Sequence, residues 1–202
     1  MTLQSRGRQL WLAAAVTALA LSPTAAWAHA DAHPGGGFVA GFLHPISGLD
    51  HVVAMVAVGL WGAVLGPPAI WVLPVAFPLV MAFGGLLGLL GVPIPGVEIG
   101  IAISGLVMGL MVLFELRPPL WLAALIVSAI AVFHGHAHGA ELPAGSNALL
   151  YSLAFVIATG LLHLLGILLG ETRRWPGGRR FVQGSGGVVA RIGLWFLERA
   201  FT

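Results

Sequence analysis

The sequence predicts an all-α integral membrane protein in which a bundle of six transmembrane helices follows a cleaved signal peptide. Of its 202 residues, 58% are hydrophobic and only 8% are charged, whereas a soluble domain carries roughly 25% charged residues. The apolar residues form runs of about 20 residues or more, long enough to cross the ~30 Å of hydrocarbon in a bilayer. Prolines separate these runs, and the N-terminus has the features of a secretory signal. A chain of this composition could not cover a water-facing surface.

The signal peptide is predicted from a basic start, an apolar run and a small-residue cleavage site. Arg6 and Arg8 precede the run Leu10–Leu21, and Ala-Trp-Ala follows at 26–28, which is the order found in secreted proteins. The alternative is a retained N-terminal helix, but the run is short for a span. We expect a signal peptide, a short external histidine-containing N-terminus and a six-helix transmembrane domain, at 1–28, 29–37 and 38–202.

Charge and residue usage exclude several classes of function. The nine basic residues are all arginine, and removing Arg6 and Arg8 with the signal leaves 9 − 2 = 7 arginines against seven acidic residues. The mature chain is therefore formally neutral and lacks the basic patch that indicates nucleic-acid binding. Because the chain contains no cysteine, it has neither disulfides nor a thiolate metal site. The absence of lysine excludes a retinal-type Schiff base.

Six apolar segments are predicted to span the membrane, at 38–65, 69–91, 97–116, 119–140, 147–170 and 180–201. Prolines fall in the joins between most of them, which is typical of breaks between helices. The sixth segment is less apolar and contains Arg191, so an interfacial helix is its alternative. The chain has 29 glycines, and small residues let membrane helices approach closely. The sequence does not determine the oligomeric state, and it is compatible with a homo-oligomer.

The orientation of the bundle is predicted twice, by the signal peptide and by the arginines. A cleaved signal places the mature N-terminus outside, so the joins at 117–119 and 171–180 would face the cytoplasm. These joins carry five arginines, whereas the external joins near 92–97 and 141–146 carry none. This is the positive-inside pattern, and it agrees with the signal-peptide prediction.

The first of two ionisable patches lies in the first apolar segment and contains His44, Asp50 and His51. Ionisable side chains within a membrane are costly and by default indicate a functional site. In a continuous helix the two histidines, seven residues apart, would lie within about 20° of one face. Pro45 cannot donate a hydrogen bond to the carbonyl of Gly41. The stretch therefore offers two imidazoles, a carboxylate and a freed carbonyl.

The second patch lies at the end of the fourth apolar segment. His134 and His138 are spaced i, i+4, which places two imidazoles on one face, and Glu141 continues that face, whereas His136 points elsewhere. Glu98 opens the third segment on the same side of the membrane, so three helices are expected to bring ligands to one depth. Imidazoles and carboxylates bind transition metals such as Ni²⁺, Co²⁺, Zn²⁺ or Cu²⁺.

Three other histidines have two interpretations each. His29 and His33 would follow the cleaved signal, where they either collect metal outside the membrane or belong to a disordered tail. His163, in the fifth apolar segment, is interpreted as a hydrogen bond between helices rather than as a ligand.

At the two patches the sequence resembles the HupE/UreJ family of bacterial nickel permeases. Residues 44–51 fit the pattern H-P-x-x-G-x-D-H, and residues 133–141 are similar to F-H-G-x-A-H-G-x-E, with His136 at the variable position. The signal peptide, the histidine after it and the six-span count are similar too, so the resemblance covers essentially the whole chain. It implies uptake of Ni²⁺, or of Co²⁺ as in some relatives, across the bacterial inner membrane. The metal would supply hydrogenase or urease maturation.

The leading prediction is a secondary permease, not an enzyme, which carries a divalent metal ion through the bilayer and holds no permanent cofactor. The chain has no G-x-x-x-x-G-K-[ST] loop, so it does not hydrolyse ATP itself. A membrane metalloenzyme is a second class, weakened by the absence of H-E-x-x-H. A bis-histidine haem protein is a third, but it leaves Asp50 and Glu141 unexplained. The predicted metal ligands are His44, Asp50, His51, His134, His138, Glu141 and Glu98, together with His29 and His33.

Overall fold

A computed structural model describes residues 37–142 and 146–201. Within these residues the chain is all helical, with seven α-helices, one short 3₁₀ turn at Thr172–Arg174 and no strand. The predicted signal peptide at 1–28 lies outside the described residues, as do His29 and His33. The helices are α1 Gly37–Ser47, α2 Leu49–Leu65, α3 Ala69–Leu89, α4 Val97–Leu113, α5 Leu120–Ala140, α6 Ala148–Glu171 and α7 Gly178–Arg199.

Local signals explain where several helices begin. Pro68 and Pro119 stand immediately before α3 and α5, positions at which the N–H that proline lacks would have no partner within the helix. Asn147 precedes α6, and its side-chain oxygen accepts a hydrogen bond from the Leu150 N–H at 3.1 Å. Such a cap satisfies one of the free amide groups at a helix start. These starts agree with the sequence prediction to within one residue.

The first predicted helix, 38–65, is wrong as a continuous element. It is divided into α1 and α2 at Gly48, whose backbone is extended, with φ −88° and ψ 112°, and the two parts are bent by 79°. Pro45 lies inside the last turn of α1, where its missing N–H weakens the helix just before the break. The argument that His44 and His51 share one helix face is therefore also wrong, because they belong to different helices.

The length and apolar surface of the helices make this a multi-pass membrane protein. Among the described residues, α3, α5 and α6 are span candidates, and the bent pair α1–α2 is a fourth if it forms one broken span. α4 is apolar but has only 17 residues, and α7 carries four arginines and one glutamate. The count of six spans therefore stays a prediction. A lipid-facing stripe recurs every fourth residue along α3, formed by the exposed Trp71, Val75, Leu79 and Phe83.

Glycines on α5 separate a packing face from a histidine face. A methyl group at Gly135 or at Gly139 would overlap a backbone oxygen of α3, so these two positions let α3 and α5 pack backbone to backbone. The glycine pair is spaced i, i+4, and so is the pair His134 and His138. The two pairs are offset by one residue, or about 100° around the helix. α5 thus packs on α3 through one face and keeps the other for the histidines.

The two ends of the bundle carry different chemistry. At one end the α5 histidines approach the α1–α2 junction, where His44 contacts His138. At the other end the Trp61 side chain of α2 donates to the Leu116 carbonyl at 2.9 Å, and Glu115 pairs with Arg179 at the start of α7. The cluster of histidines and the cluster of arginines therefore lie at opposite ends of the helices.

Candidate metal centre

Three histidines from three helices form a continuous chain of hydrogen bonds. His44 Nε2 of α1 lies 2.9 Å from His138 Nδ1 of α5, and His138 Nε2 lies 2.9 Å from His51 Nδ1 at the start of α2. His51 Nε2 then reaches the Thr159 hydroxyl of α6 at 3.4 Å. A neutral imidazole has one donor and one acceptor nitrogen. All three rings can therefore be neutral and still satisfy every contact in the chain.

A second hydroxyl determines the tautomer of His134, which lies beside this chain. Ser104 of α4 donates its hydroxyl hydrogen to the Ile101 carbonyl at 2.6 Å. The same oxygen lies 2.9 Å from His134 Nε2, so it accepts from an Nε2–H and leaves the lone pair on Nδ1. Nδ1 is buried and has no hydrogen-bond partner among the described residues. An unpaired buried acceptor costs about 1–3 kcal/mol, so this nitrogen is available for a ligand.

The four histidines and one glutamate form two overlapping groups of donor atoms, which we call the deep group and the shallow group. The deep group is His51, His134 and His138, and the shallow group is His44, His138 and Glu141; within each, the donor atoms lie within 4.8 Å of one another. Glu141 Oε2 is 3.4 Å from His44 Nε2 and 3.9 Å from His138 Nδ1. His138 belongs to both groups and therefore connects them.

Solvent exposure falls from the shallow group to the deep group. The Glu141 side chain is 61% exposed and that of His44 is 29% exposed, whereas His51 and His134 are buried at 1% and 0%. The Phe155 ring of α6 contacts both histidines: its centroid lies 5.3 Å from that of His51 and 4.7 Å from that of His138. The groups thus form a path from the surface into a largely apolar interior.

A cavity of about 270 Å³ lies between α3, α5 and α6 and reaches His138. Most of the side chains that line it are apolar, among them Met81, Leu86 and Phe155. On this side of His138, few polar groups could compete with the histidines and Glu141 for a cation. Because electrostatic interactions are stronger in apolar surroundings than in water, the apolar lining strengthens the attraction between a cation and these donors.

The structure brings together five of the predicted ligands and leaves two of them apart. His44, His51, His134, His138 and Glu141 form the two donor groups. The other two are outside both groups: Asp50 is half-buried in the first turn of α2 with its carboxylate against Gly48, and Glu98 is exposed in the first turn of α4.

His136 points away from both donor groups, as predicted from its position on α5. Its Nε2 donates to the Val92 carbonyl at 2.7 Å. This contact joins the end of α5 to the loop after α3, which gives His136 a structural partner outside the donor groups.

Sequence reasoning missed two hydroxyl residues beside the histidines. Ser104 and Thr159 are fully buried and contact His134 and His51. Their signal in the sequence is a lone polar residue within an apolar helix, which is common and therefore weak. His163 was interpreted as a hydrogen bond between helices, and its ring on α6 does face the Pro74 backbone of α3.

Comparisons with known proteins give a match over most of the chain. The family model described as "HupE / UreJ protein" matches residues 17–196, a range that includes both donor groups. "Protein HupE" of Rhizobium leguminosarum bv. viciae is 48% identical over 178 residues, which is 88% of this chain and 92% of the relative. No solved structure matches.

Proposed function

Because the chain belongs to the HupE/UreJ family, we propose that it is a secondary transporter that takes up Ni²⁺ across the bacterial inner membrane. The metal would then supply the maturation of a hydrogenase or urease. A Co²⁺ permease of the same type is the alternative, because Ni²⁺ and Co²⁺ accept the same imidazole and carboxylate ligands. Membership of this family implies a role related to nickel or cobalt transport; the direction and the ligands are our proposal.

The observation that carries the proposal is the free lone pair of His134 Nδ1 beside His51 and His138. Nitrogens on one first-row ion lie about 2.0–2.1 Å from it, as in zinc sites, and so at most about 4.2 Å apart. The donor atoms of the deep group lie within 4.8 Å of one another, and small ring rotations bring them into that range. Ser104 holds the opposite nitrogen of His134, and such an outer partner orients a metal-binding imidazole.

The shared ligand His138 suggests how an ion moves inward. His138 faces the shallow group through Nδ1 and the deep group through Nε2, so an ion would pass from one nitrogen of this ring to the other as it exchanges His44 and Glu141 for His51 and His134. Conduction needs sites that bind a cation and also release it, and stepwise exchange of ligands meets both needs.

His163 is placed to take the ion further along α6. It follows Thr159 by one helical turn, on the same face, about 5–6 Å nearer the arginine end. Pro78 lacks the N–H that would bond to the carbonyl of Pro74, and the Pro74 backbone lies beside the His163 ring. The imidazole and this carbonyl, which lacks its helical N–H partner, are two ligands for a cation in transit.

Replacing His163 with leucine tests this inner step. We expect uptake to fall by about tenfold or more, as is typical when a group that supports metal handling is lost. Ni²⁺ binding to the outer donor groups of the purified protein should stay unchanged. Leucine keeps the site apolar and filled, so a packing role for His163 predicts normal uptake, and that result would contradict the proposed step.

The membrane potential supplies a driving force for entry if the arginine end faces the cytoplasm, as the positive-inside rule favours. An interior that is negative by 100 mV favours entry by about 2.3 kcal/mol per unit charge, or about 4.6 kcal/mol for a divalent ion. The chain of three imidazoles also offers a route for protons, so coupling to protons is compatible with this geometry.

The haem alternative fits the geometry poorly. A bis-histidine haem holds its porphyrin plane between two imidazoles. The ring nitrogens of His44, His138 and His51 instead contact one another at 2.9 Å. No macrocycle fits between rings in direct contact.

Uptake of radiolabelled Ni²⁺ by a bacterium that lacks its own nickel transport tests the proposal directly. Expression of this chain should restore uptake, and excess unlabelled Ni²⁺ should compete. Mg²⁺ should compete weakly, since it prefers oxygen ligands. Stronger competition by Co²⁺ than by Ni²⁺ would identify the cobalt permease. Absence of uptake of either ion by a protein present in the membrane would contradict a transport function.

A further inference from the structure

A basic pocket lies at the end of the bundle opposite the histidines. It has a volume of about 370 Å³ and is lined by Glu115, Arg117, Arg173 and Arg179. These residues come from the α4–α5 join, the turn after α6 and the start of α7. Three segments therefore place three guanidinium groups and one carboxylate around a single space.

The carboxylate in this pocket is already paired. Glu115 Oε2 accepts from Arg179 Nη2 at 2.7 Å and from Arg179 Nε at 2.9 Å. Glu115 also has a positive φ of 48°, a conformation that costs about 1–3 kcal/mol for a residue other than glycine and persists only where the surroundings enforce it. Its charge therefore neutralises Arg179 and leaves the other two arginines of the pocket uncompensated.

The two remaining arginines differ in exposure. Arg117 is exposed, whereas the Nε of Arg173 is buried and has no hydrogen-bond partner among the described residues. Burying a charged donor without a hydrogen-bond partner costs more free energy than burying a neutral donor in the same way. The pocket thus contains a net charge of about two positive units and an unfilled donor, which an anion with several oxygen acceptors would satisfy.

We propose that this pocket binds a phosphate group, a function separate from metal transport. The planar guanidinium group matches phosphate oxygens through paired hydrogen bonds. Two sources share this chemistry, the headgroup of an anionic phospholipid and free inorganic phosphate. Phe114 and Trp175 are exposed and lie within two residues of Glu115 and Arg173 in the sequence. Aromatic residues of this kind concentrate at the headgroup level of membranes. A bound phosphate would connect the α4–α5 join to the turn between α6 and α7.

Native mass spectrometry of the full-length protein tests the lipid source. The protein is exchanged from detergent into phosphatidylglycerol or phosphatidylcholine, and the retained lipid is counted. We expect preferential retention of phosphatidylglycerol, weakened about five- to tenfold in Arg173→Gln. Arg117→Gln, at an exposed position, should act in the same direction and serves if Arg173→Gln fails to fold. Arg180→Gln removes the same charge from the same region outside the pocket and should keep the preference.

Thermal unfolding in lipid-free detergent tests the phosphate source. Inorganic phosphate should raise the melting temperature of the wild type and of Arg180→Gln more than that of Arg117→Gln. Phosphate stabilisation without a lipid preference supports the pocket with soluble phosphate as its ligand. The proposal is overturned if neither probe distinguishes wild type from Arg117→Gln, or if Arg180→Gln loses binding to the same extent. Neither outcome depends on Ni²⁺ uptake.

Discussion

Replacement of His138 with alanine is expected to cause a loss of nickel uptake as large as that of any single change in the chain. His138 is the shared member of the two donor groups, and its two ring nitrogens contact His44 and His51, each at 2.9 Å. Its loss removes one ligand from each group and the connection between them. Uptake should fall by more than about tenfold, because even outer partners of metal ligands cost 10- to 100-fold when mutated.

His136 provides the matched control for this change. It lies on the same helix two residues away, and its side chain donates to the Val92 carbonyl, outside both donor groups. His136→Ala should keep most of the uptake, with both variants compared at equal amounts of membrane-inserted protein. Equal losses in the two variants would mean that the His138 effect comes from disturbing the end of α5 rather than from the donor groups.

Replacement of His51 with alanine should also abolish uptake, for a different reason. His51 is 1% exposed and belongs only to the deep group, so the shallow group keeps all three of its donors. We therefore expect the purified His51→Ala protein to bind Ni²⁺ more weakly but still measurably, while transport is lost. Isothermal titration measures the affinity for Ni²⁺, and radiolabelled uptake measures transport. Normal transport by a well-inserted His51→Ala protein would remove His51 from the path.

Thr159→Val separates a ligand from its supporting partner. The substitution keeps the shape of the side chain and removes the hydroxyl that contacts His51 Nε2 at 3.4 Å. Uptake should fall less than in His51→Ala, because the imidazole remains and loses only a contact that orients it.

The positions of the helices could be predicted from the sequence because their causes are local. Apolar length predicts a buried or lipid-facing helix, and the prolines before α3 and α5 determine where those helices begin. Because His134 and His138 are four residues apart, the geometry of a single helix is enough to place their two imidazoles together. For the same reason His136 could be assigned to another side of α5 without any knowledge of its neighbours.

What only the tertiary structure decided is which side chains meet across helices. His44 and His138 are separated by 94 positions in the chain, and they meet because α1 turns away from α2 at Gly48. The exposed position of Glu98, the tautomer imposed by Ser104 and the position of His163 beside the Pro74 backbone were likewise invisible in the sequence. Helical periodicity tells which residues share a face, but the neighbour that the face meets depends on the packing of whole helices, here on where glycines let two backbones approach.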